Sequence, residues 1–212
     1  QKKDAVIYKQ SWDKQKMFWG FYLGMNKKNY KISYINNETF VTSKAAAGFN
    51  VGLIGDLKLH NNINLRFEPG LSSNTKKLHF RNNNLITPQD SVREANSTYL
   101  RFPLLLKFST NRFYNIRPYV LGGLSYDYNF SSNQDNPQDN LDREFRMKKN
   151  NLYYEVGFGI DFYMFFFKFT PSIRGVFALN DETVPDVDPN SPWTSNIASM
   201  KTRGVFINFT FQ

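Results

Sequence analysis

Apolar and polar residues alternate with a period of two along most of the chain. From Phe49 one parity reads Phe49, Val51, Leu53, Gly55, Leu57 and Leu59, and the other Asn50, Gly52, Ile54, Asp56, Lys58 and His60. That is a strand with one apolar and one mostly polar face. After a short turn near Asn61-Asn62, the apolar face resumes in Ile63, Leu65, Phe67 and Leu71 and the polar face in Asn64, Arg66, Glu68 and Ser72, which predicts a hairpin. The same reading finds strands marked by Met17 to Met25, Leu100 to Phe108, Val120 to Tyr128, Leu152 to Phe162, Phe165 to Phe177 and Arg203 to Phe211.

The spacers alternate too. Long Asn-, Asp- and Ser-rich connections near 27–46, 73–97, 131–149 and 181–200 are set against short turns near 60–62, 109–115 and 163–164. Long loops on one rim and tight turns on the other are the outer-membrane arrangement. The expected fold is all-β, a closed antiparallel transmembrane β-barrel of about eight strands with long extracellular loops, short periplasmic turns and both termini periplasmic. Residues 1–15 read as an N-terminal periplasmic arm and 16–212 as the barrel.

A soluble barrel such as a lipocalin also alternates, with its apolar face inward. The loop asymmetry, the Phe- and Leu-rich faces and an end within a strand at Thr210-Phe211-Gln212 favour the membrane. Pro69, Pro103, Pro118 and Pro171 fall inside predicted strands. Each removes a ladder hydrogen bond, so bulges are expected there.

Composition agrees with strands that hide their hydrophobicity. There are 21 Phe and 12 Tyr among 212 residues, yet the mean hydropathy is −0.53. The most apolar stretch, Phe162 to Phe167, is far shorter than the roughly 20 residues of a spanning helix. There is no Cys, and His60 and His79 belong to no metal-spacing motif. A start at Gln1-Lys2-Lys3 suits an exported protein whose signal has been removed.

With the apolar parity facing lipid, the other parity places Asp56, Lys58, Arg66, Glu68, Arg101, Lys107, Arg117, Asp127, Glu155, Asp161, Lys168 and Arg174 in the interior. A barrel of about eight strands is just wide enough to be filled by side chains, so these charges are expected to pair with one another rather than line a pore or proton path. Phe162, Phe165, Phe167 and Phe169 are expected on the lipid- or partner-facing side.

Candidate chemistry is sparse. Ser72 and Ser73 neighbour His79 only in sequence, which is too little for a hydrolase or acyltransferase site. Asp135, Asp139, Asp142, Asp181, Glu182, Asp186 and Asp188 offer calcium-type oxygens, but their spacing fits no EF-hand and solvated loops are expected. The reading is therefore no enzyme, no cofactor and no metal. The net charge of +9 includes Lys27, Lys28, Lys31, Lys76, Lys77, Arg81, Arg143, Arg146, Lys148 and Lys149, mostly at outer-rim strand ends. No helix, zinc motif or aromatic platform organises them for nucleic acid. Outer-membrane lipid, and lipopolysaccharide phosphate in particular, is the better electrostatic partner.

Four blocks carry a family resemblance: Leu65-Arg66-Phe67-Glu68-Pro69-Gly70-Leu71-Ser72, Phe102-Pro103-Leu104-Leu105-Leu106-Lys107-Phe108, Arg117-Pro118-Tyr119-Val120-Leu121-Gly122-Gly123, and the run from Tyr154 to Tyr163. They resemble the PorT family, outer-membrane barrels of Bacteroidetes, and the Phe165 to Phe169 run with Arg174-Gly175 is similar. Asp90-Ser91-Val92 likewise resembles an O-glycosylation motif of Bacteroidetes envelope proteins. The resemblance implies a non-enzymatic accessory subunit of a protein secretion machine, the type IX system that also supports gliding motility, with larger envelope proteins as partners. The alternative is a free-standing outer-membrane barrel with a lipid- or ligand-binding or enzymatic role.

Overall fold

The computed structural model describes Tyr8 and residues 14–35, 40–81, 92–132, 146–185 and 197–212. It is an all-β structure of ten strands in one antiparallel sheet. In chain order these are β1 (Met17–Tyr34), β2 (Phe40–Lys44), β3 (Ala46–His60), β4 (Ile63–Phe67), β5 (Gly70–Arg81), β6 (Val92–Ser109), β7 (Ile116–Asn129), β8 (Asn150–Tyr163), β9 (Lys168–Ala178) and β10 (Ile197–Phe211). Neighbours in sequence are neighbours in the sheet for β6 to β10. The first strand is hydrogen-bonded along both edges, with Phe21 opposite Phe211 of β10 on one side and Leu53 of β3 on the other. The succession of pairings thus returns to the strand where it began.

Ten segments replace the eight expected because one predicted strand is interrupted and a further segment, β2, forms within the expected connection 27–46. Only Lys44 and Ala46 flank the break between β2 and β3, and both segments pair with β5. Likewise β4 and β5 both lie between β3 and β6, separated by Glu68-Pro69. Pro69 has no N–H for the ladder, and the β6 partners skip from Leu104 to Arg101 across Pro103 at that point. A second skip falls at Pro171, where the β8–β9 register passes from Gly159–Ser172 to Phe162–Phe169. Pro103 and Pro118 keep continuous register with β7 and β8 respectively.

The wall is apolar outside and polar inside. Leu23, Leu53, Val120, Val156, Phe158 and Val205 are exposed, whereas Asn50, Asp56, Arg66, Glu68, Arg101, Glu155 and Arg174 are buried. Burial of charge with exposure of Leu and Phe inverts the ordinary globular pattern. It is the pattern of a sheet whose outer face meets hydrocarbon.

Toward the long-loop end this polarity reverses. Along β1 the outward positions become Lys27, Asn29, Lys31 and Ser33, while the inward ones become Tyr30, Ile32 and Tyr34. Tyr30, Met147 and Met200 form a buried apolar cluster with Ile32, Tyr34 and Ile197 packed against it. Beyond this level β1 has an apolar inner face and a polar outer one, as a strand of a sheet standing in water does. The expected long connections are accordingly shorter than the sequence suggested. Strand structure continues through Tyr34 in β1, through Arg81 in β5, and from Val92 in β6 and Ile197 in β10.

The reversal fixes where charge is tolerated. Phe158→Arg, in the middle of β8, should destabilise the folded protein by about 2–4 kcal/mol, and Ser199→Arg, beyond the reversal, by about 0–1 kcal/mol. Urea unfolding in lipid vesicles measures both, and equal losses would contradict this placement of the apolar belt.

Candidate functional site

The interior is the chemically distinctive part of the molecule, and inward parity places its members. Asp56 of β3 and Arg66 of β4 are directly opposite each other. Arg66 donates to Asp56 Oδ2 from Nε at 3.0 Å and from Nη2 at 2.7 Å, and Asn64 donates to Oδ1 at 2.6 Å. Arg66 Nη1 also reaches Glu68 Oε1 at 3.4 Å. Glu68, in the gap between β4 and β5, crosses the interior and accepts from Arg174 of β9 at 2.5 and 2.8 Å. Arg174 lies 3.8 Å from Glu155 Oε2, and Glu155 Oε1 accepts from Arg101, whose Nε donates to Asp127 at 2.8 Å.

These seven side chains, Asp56, Arg66, Glu68, Arg174, Glu155, Arg101 and Asp127, form one connected string. A second group lies toward the short turns. Lys107 Nζ is 2.6 Å from Asp161 Oδ2, Thr170 donates to Asp161 Oδ1 at 2.8 Å, and buried Lys168 sits 4.9 Å over the Phe18 ring. Taken together, the buried cations Arg66, Arg101, Lys107, Lys168 and Arg174 are balanced one for one by Asp56, Glu68, Asp127, Glu155 and Asp161. That balance is what permits burial, since an uncompensated ion in low dielectric carries a desolvation penalty of several kcal/mol. Ring faces supply further contacts for the cations: Arg101 lies 4.4 Å from the Phe206 centroid and Lys107 4.1 Å from that of Tyr119.

Small residues make the room. A Cβ on Gly157 would stand 2.8 Å from the Arg174 Cγ, and one on Gly159 would stand 2.5 Å from the Tyr119 hydroxyl. Little space is left: Lys107, Asp161, Lys168, Arg117 and their neighbours line a pocket of about 20 Å³, room for about one water.

Several expected residues lie elsewhere. Arg117 is not in the string; it donates to the carbonyls of Thr110, at 2.8 Å, and Asn61, tying two short turns together. Lys28 and Arg146 are not rim cations but buried. Lys28 stands 4.4 Å over the Tyr99 ring, and Arg146 donates to the Pro185 carbonyl at 3.0 Å. Glu182 is fully buried rather than solvated, accepting from the Tyr153 hydroxyl at 2.8 Å and the Thr202 hydroxyl at 2.7 Å. Asp181 accepts the N–H groups of Thr183 and Met200. Asp135, Asp139, Asp142, Asp186, Asp188, Asp90 and Ser91 lie outside the described residues, as does the proposed arm except Tyr8, Lys14 and Gln15.

His79 lies within β5, six residues from Ser73 along the strand and so about 20 Å away. Ser72 points inward toward Asn26, so no nucleophile and base converge. Phe165 and Phe167 belong to the β8–β9 turn rather than to β9, with Phe165 strongly exposed, while Phe162 and Phe169 are cross-strand partners and half-buried. A buried amide cluster of Asn26, Asn50, Asn74 and Asn208 extends the polar interior toward the long-loop end. Its shared inward parity was the available signal, but neutral amides carry no charge to draw attention.

Removing one partner of the string leaves its neighbours buried and uncompensated. Glu68→Ala should cost about 3–5 kcal/mol by stranding Arg66 and Arg174. Arg117→Ala, which loses hydrogen bonds to partly exposed carbonyls, should cost about 1 kcal/mol. Urea unfolding, with folding checked by heat-dependent migration on SDS gels, compares them; similar losses would mean that Glu68 is solvated.

A model of the outer membrane protein beta-barrel domain matches residues 8–184. No curated protein sequence matches the chain. Among solved structures, the outer membrane protein OprG of Pseudomonas aeruginosa is 16% identical with a TM-score of 0.49, and the match covers 92% of this chain and 93% of that one. The N-terminal β-barrel domain of OprF from the same species is 12% identical with a TM-score of 0.38, over 89% of this chain and 97% of that one. Ail, the attachment invasion locus protein of Yersinia pestis, is 11% identical with a TM-score of 0.39, over 93% and 98%.

These comparisons overturn the expected PorT membership. With it go the type IX secretion, gliding-motility and Bacteroidetes readings and the role of accessory subunit, because the family model that matches is that of the general outer-membrane barrel domain. The blocks that carried the resemblance coincide with strands β4 to β8. There, alternation of outward Leu, Val and Phe with inward charge is demanded of any small barrel. The match extends over most of the strands that enclose the charge string, and the chain belongs to the outer membrane protein β-barrel domain family.

Proposed function

We propose that the protein is a free-standing, non-enzymatic outer-membrane barrel that binds lipid or ligand from its outer surfaces, with its lumen closed to solutes. On this reading the ten segments amount to eight transmembrane strands, with β2–β3 and β4–β5 each counted once and the ring closed where β1 meets β10 and β3. The short turns, the start of β1 and the end of β10 share one rim, taken as periplasmic; Gln212 and Lys168 exchange backbone hydrogen bonds there.

The observation that carries the reading is the ion string across the interior. It joins β3, β4, β6, β7, β8 and β9, and the pocket beside Lys107 and Asp161 holds room for about one water. A lumen filled in this way offers no route for a solute, so function falls to the wall and the long-loop end. Phe162 and Phe169 stand at the short-turn end of the apolar wall, and the exposed Phe165 and Phe167 in the turn beside it, where they meet lipid. A groove of about 500 Å³ between Phe108, Pro118, Val120, Phe158 and Ile160 adds an acyl-chain-sized depression to the wall. On the outer leaflet, lipopolysaccharide is the lipid that matches the protein's cationic balance.

Planar-bilayer recording should show no steady conductance from the folded protein, and incubation in nanodiscs containing lipid A should leave every acyl chain in place. Large steady channels would replace this reading with a porin-like one, and acyl loss would make the protein an enzyme.

A further inference from the structure

Four cations stand on the outer wall where β1 and β10 pair. Lys27, Lys31 and Arg203 are exposed and Lys201 is half-exposed. The register sets Lys31 directly opposite Lys201, Asn29 opposite Arg203 and Lys27 opposite Val205. All four share the outward parity of Met25, Val205 and Ile207, the last apolar residues before the polarity reversal. They span about 13 Å along the strands, immediately above the hydrocarbon belt.

Like charges directly opposite on neighbouring strands destabilise a sheet. Among the described residues no carboxylate lies within ion-pair distance of any of the four, and Lys201 Nζ donates to the Leu179 carbonyl at 3.0 Å. In the interior, by contrast, Arg66, Arg101, Arg174 and Lys107 each meet a carboxylate. Other described parts of the same rim carry Tyr126, Tyr128, Phe130, Leu152 and Tyr154 on β7, β8 and the β7 end. Among the residues whose side chains are described, these four stand together on the β1–β10 pair, while Lys148 and Lys149 precede β8.

We infer that the outward face of the β1–β10 pair is a binding site for the phosphate groups of lipopolysaccharide, with Lys27, Lys31, Lys201 and Arg203 as the phosphate ligands. This inference rests on the lipid-binding reading above and assigns it a place. Lysine and arginine make charge-assisted hydrogen bonds to phosphate oxygens, and the bound anion removes the repulsion between Lys31 and Lys201. The acyl chains of the same lipid lie below, against Met25, Val205 and Ile207. A glycolipid bearing more than one phosphate suits four cations distributed along two strands better than a lipid with a single phosphate.

The test uses the full chain in phosphatidylcholine nanodiscs doped with diphosphoryl lipid A, monophosphoryl lipid A or phosphatidylglycerol, with retained lipid counted by native mass spectrometry. The wild-type protein should retain the lipids in the order diphosphoryl lipid A, monophosphoryl lipid A, phosphatidylglycerol. The quadruple variant Lys27→Gln, Lys31→Gln, Lys201→Gln, Arg203→Gln should lose about tenfold in diphosphoryl lipid A retention, and Lys148→Gln should lose none. Undiminished retention by the quadruple variant would overturn the site while leaving the lipid-binding reading intact. Equal retention of phosphatidylglycerol and lipid A by the wild type would overturn the lipopolysaccharide assignment itself. If the quadruple variant lacks the heat-dependent gel shift of a folded barrel, Lys31→Gln with Arg203→Gln is measured instead; about a threefold loss is expected, and no loss overturns the site.

Discussion

In hydrocarbon no water is present to satisfy a backbone amide, so every N–H and C=O of a spanning segment must find its partner within the protein. For a sheet this leaves one solution, in which the last strand pairs with the first. The double pairing of β1, to β10 and to β3, meets that demand on both edges of the first strand. The remaining architecture follows from it. A small ring of strands has an interior only as wide as two facing side chains, and the alternation that sends Leu and Phe outward sends Asp, Glu, Arg and Lys into that narrow space.

Charges in so confined a place must compensate each other. The string from Asp56 to Asp127 does so by combining local and distant pairs: Asp56 with Arg66 across one hairpin, Glu68 with Arg174 from the opposite wall. The interruption at Glu68-Pro69 belongs to this arrangement. Where the ladder lapses, the Glu68 backbone N–H bonds the Pro103 carbonyl and its carboxylate extends to β9. Gly157 and Gly159 of β8 make room for the stem of the Arg174 side chain and for the Tyr119 hydroxyl. Backbone irregularity, glycine placement and ion pairing are thus one packing solution.

Much of this was legible from alternation. Period two predicted the strands, and the inward parity named Asp56, Arg66, Glu68, Arg101, Lys107, Glu155, Asp161, Lys168 and Arg174 as buried, where the structure places them. Alternation misled where the solvent changes. Beyond Lys28 the inward residues of β1 are apolar and the outward ones polar, so a rule tuned to one polarity read strand as loop. Burial of Lys28, Arg146 and Glu182 depends on rings and backbone carbonyls contributed by distant segments, which no local pattern reports. Arg117 has the right parity, but at the last turn of the wall unpaired carbonyls compete for its guanidinium. The secretion-family resemblance failed for a related reason: alternating blocks reflect the shared demands of a lipid-facing wall more than descent.

The distance in sequence between Glu68 and Arg174 has a kinetic consequence. Asp56 and Arg66 are 10 residues apart and can neutralise each other within a single hairpin, but Glu68 and its arginine are separated by 106. Until β9 takes its place, Glu68 and Glu155 each have only half of their cationic company, and Arg174 lacks both of its carboxylates. A partly assembled sheet cannot enter hydrocarbon without dragging these ions in unmatched, at several kcal/mol apiece. Insertion and closure must therefore occur together, with the nascent sheet held at the membrane surface in contact with water until its final strands arrive.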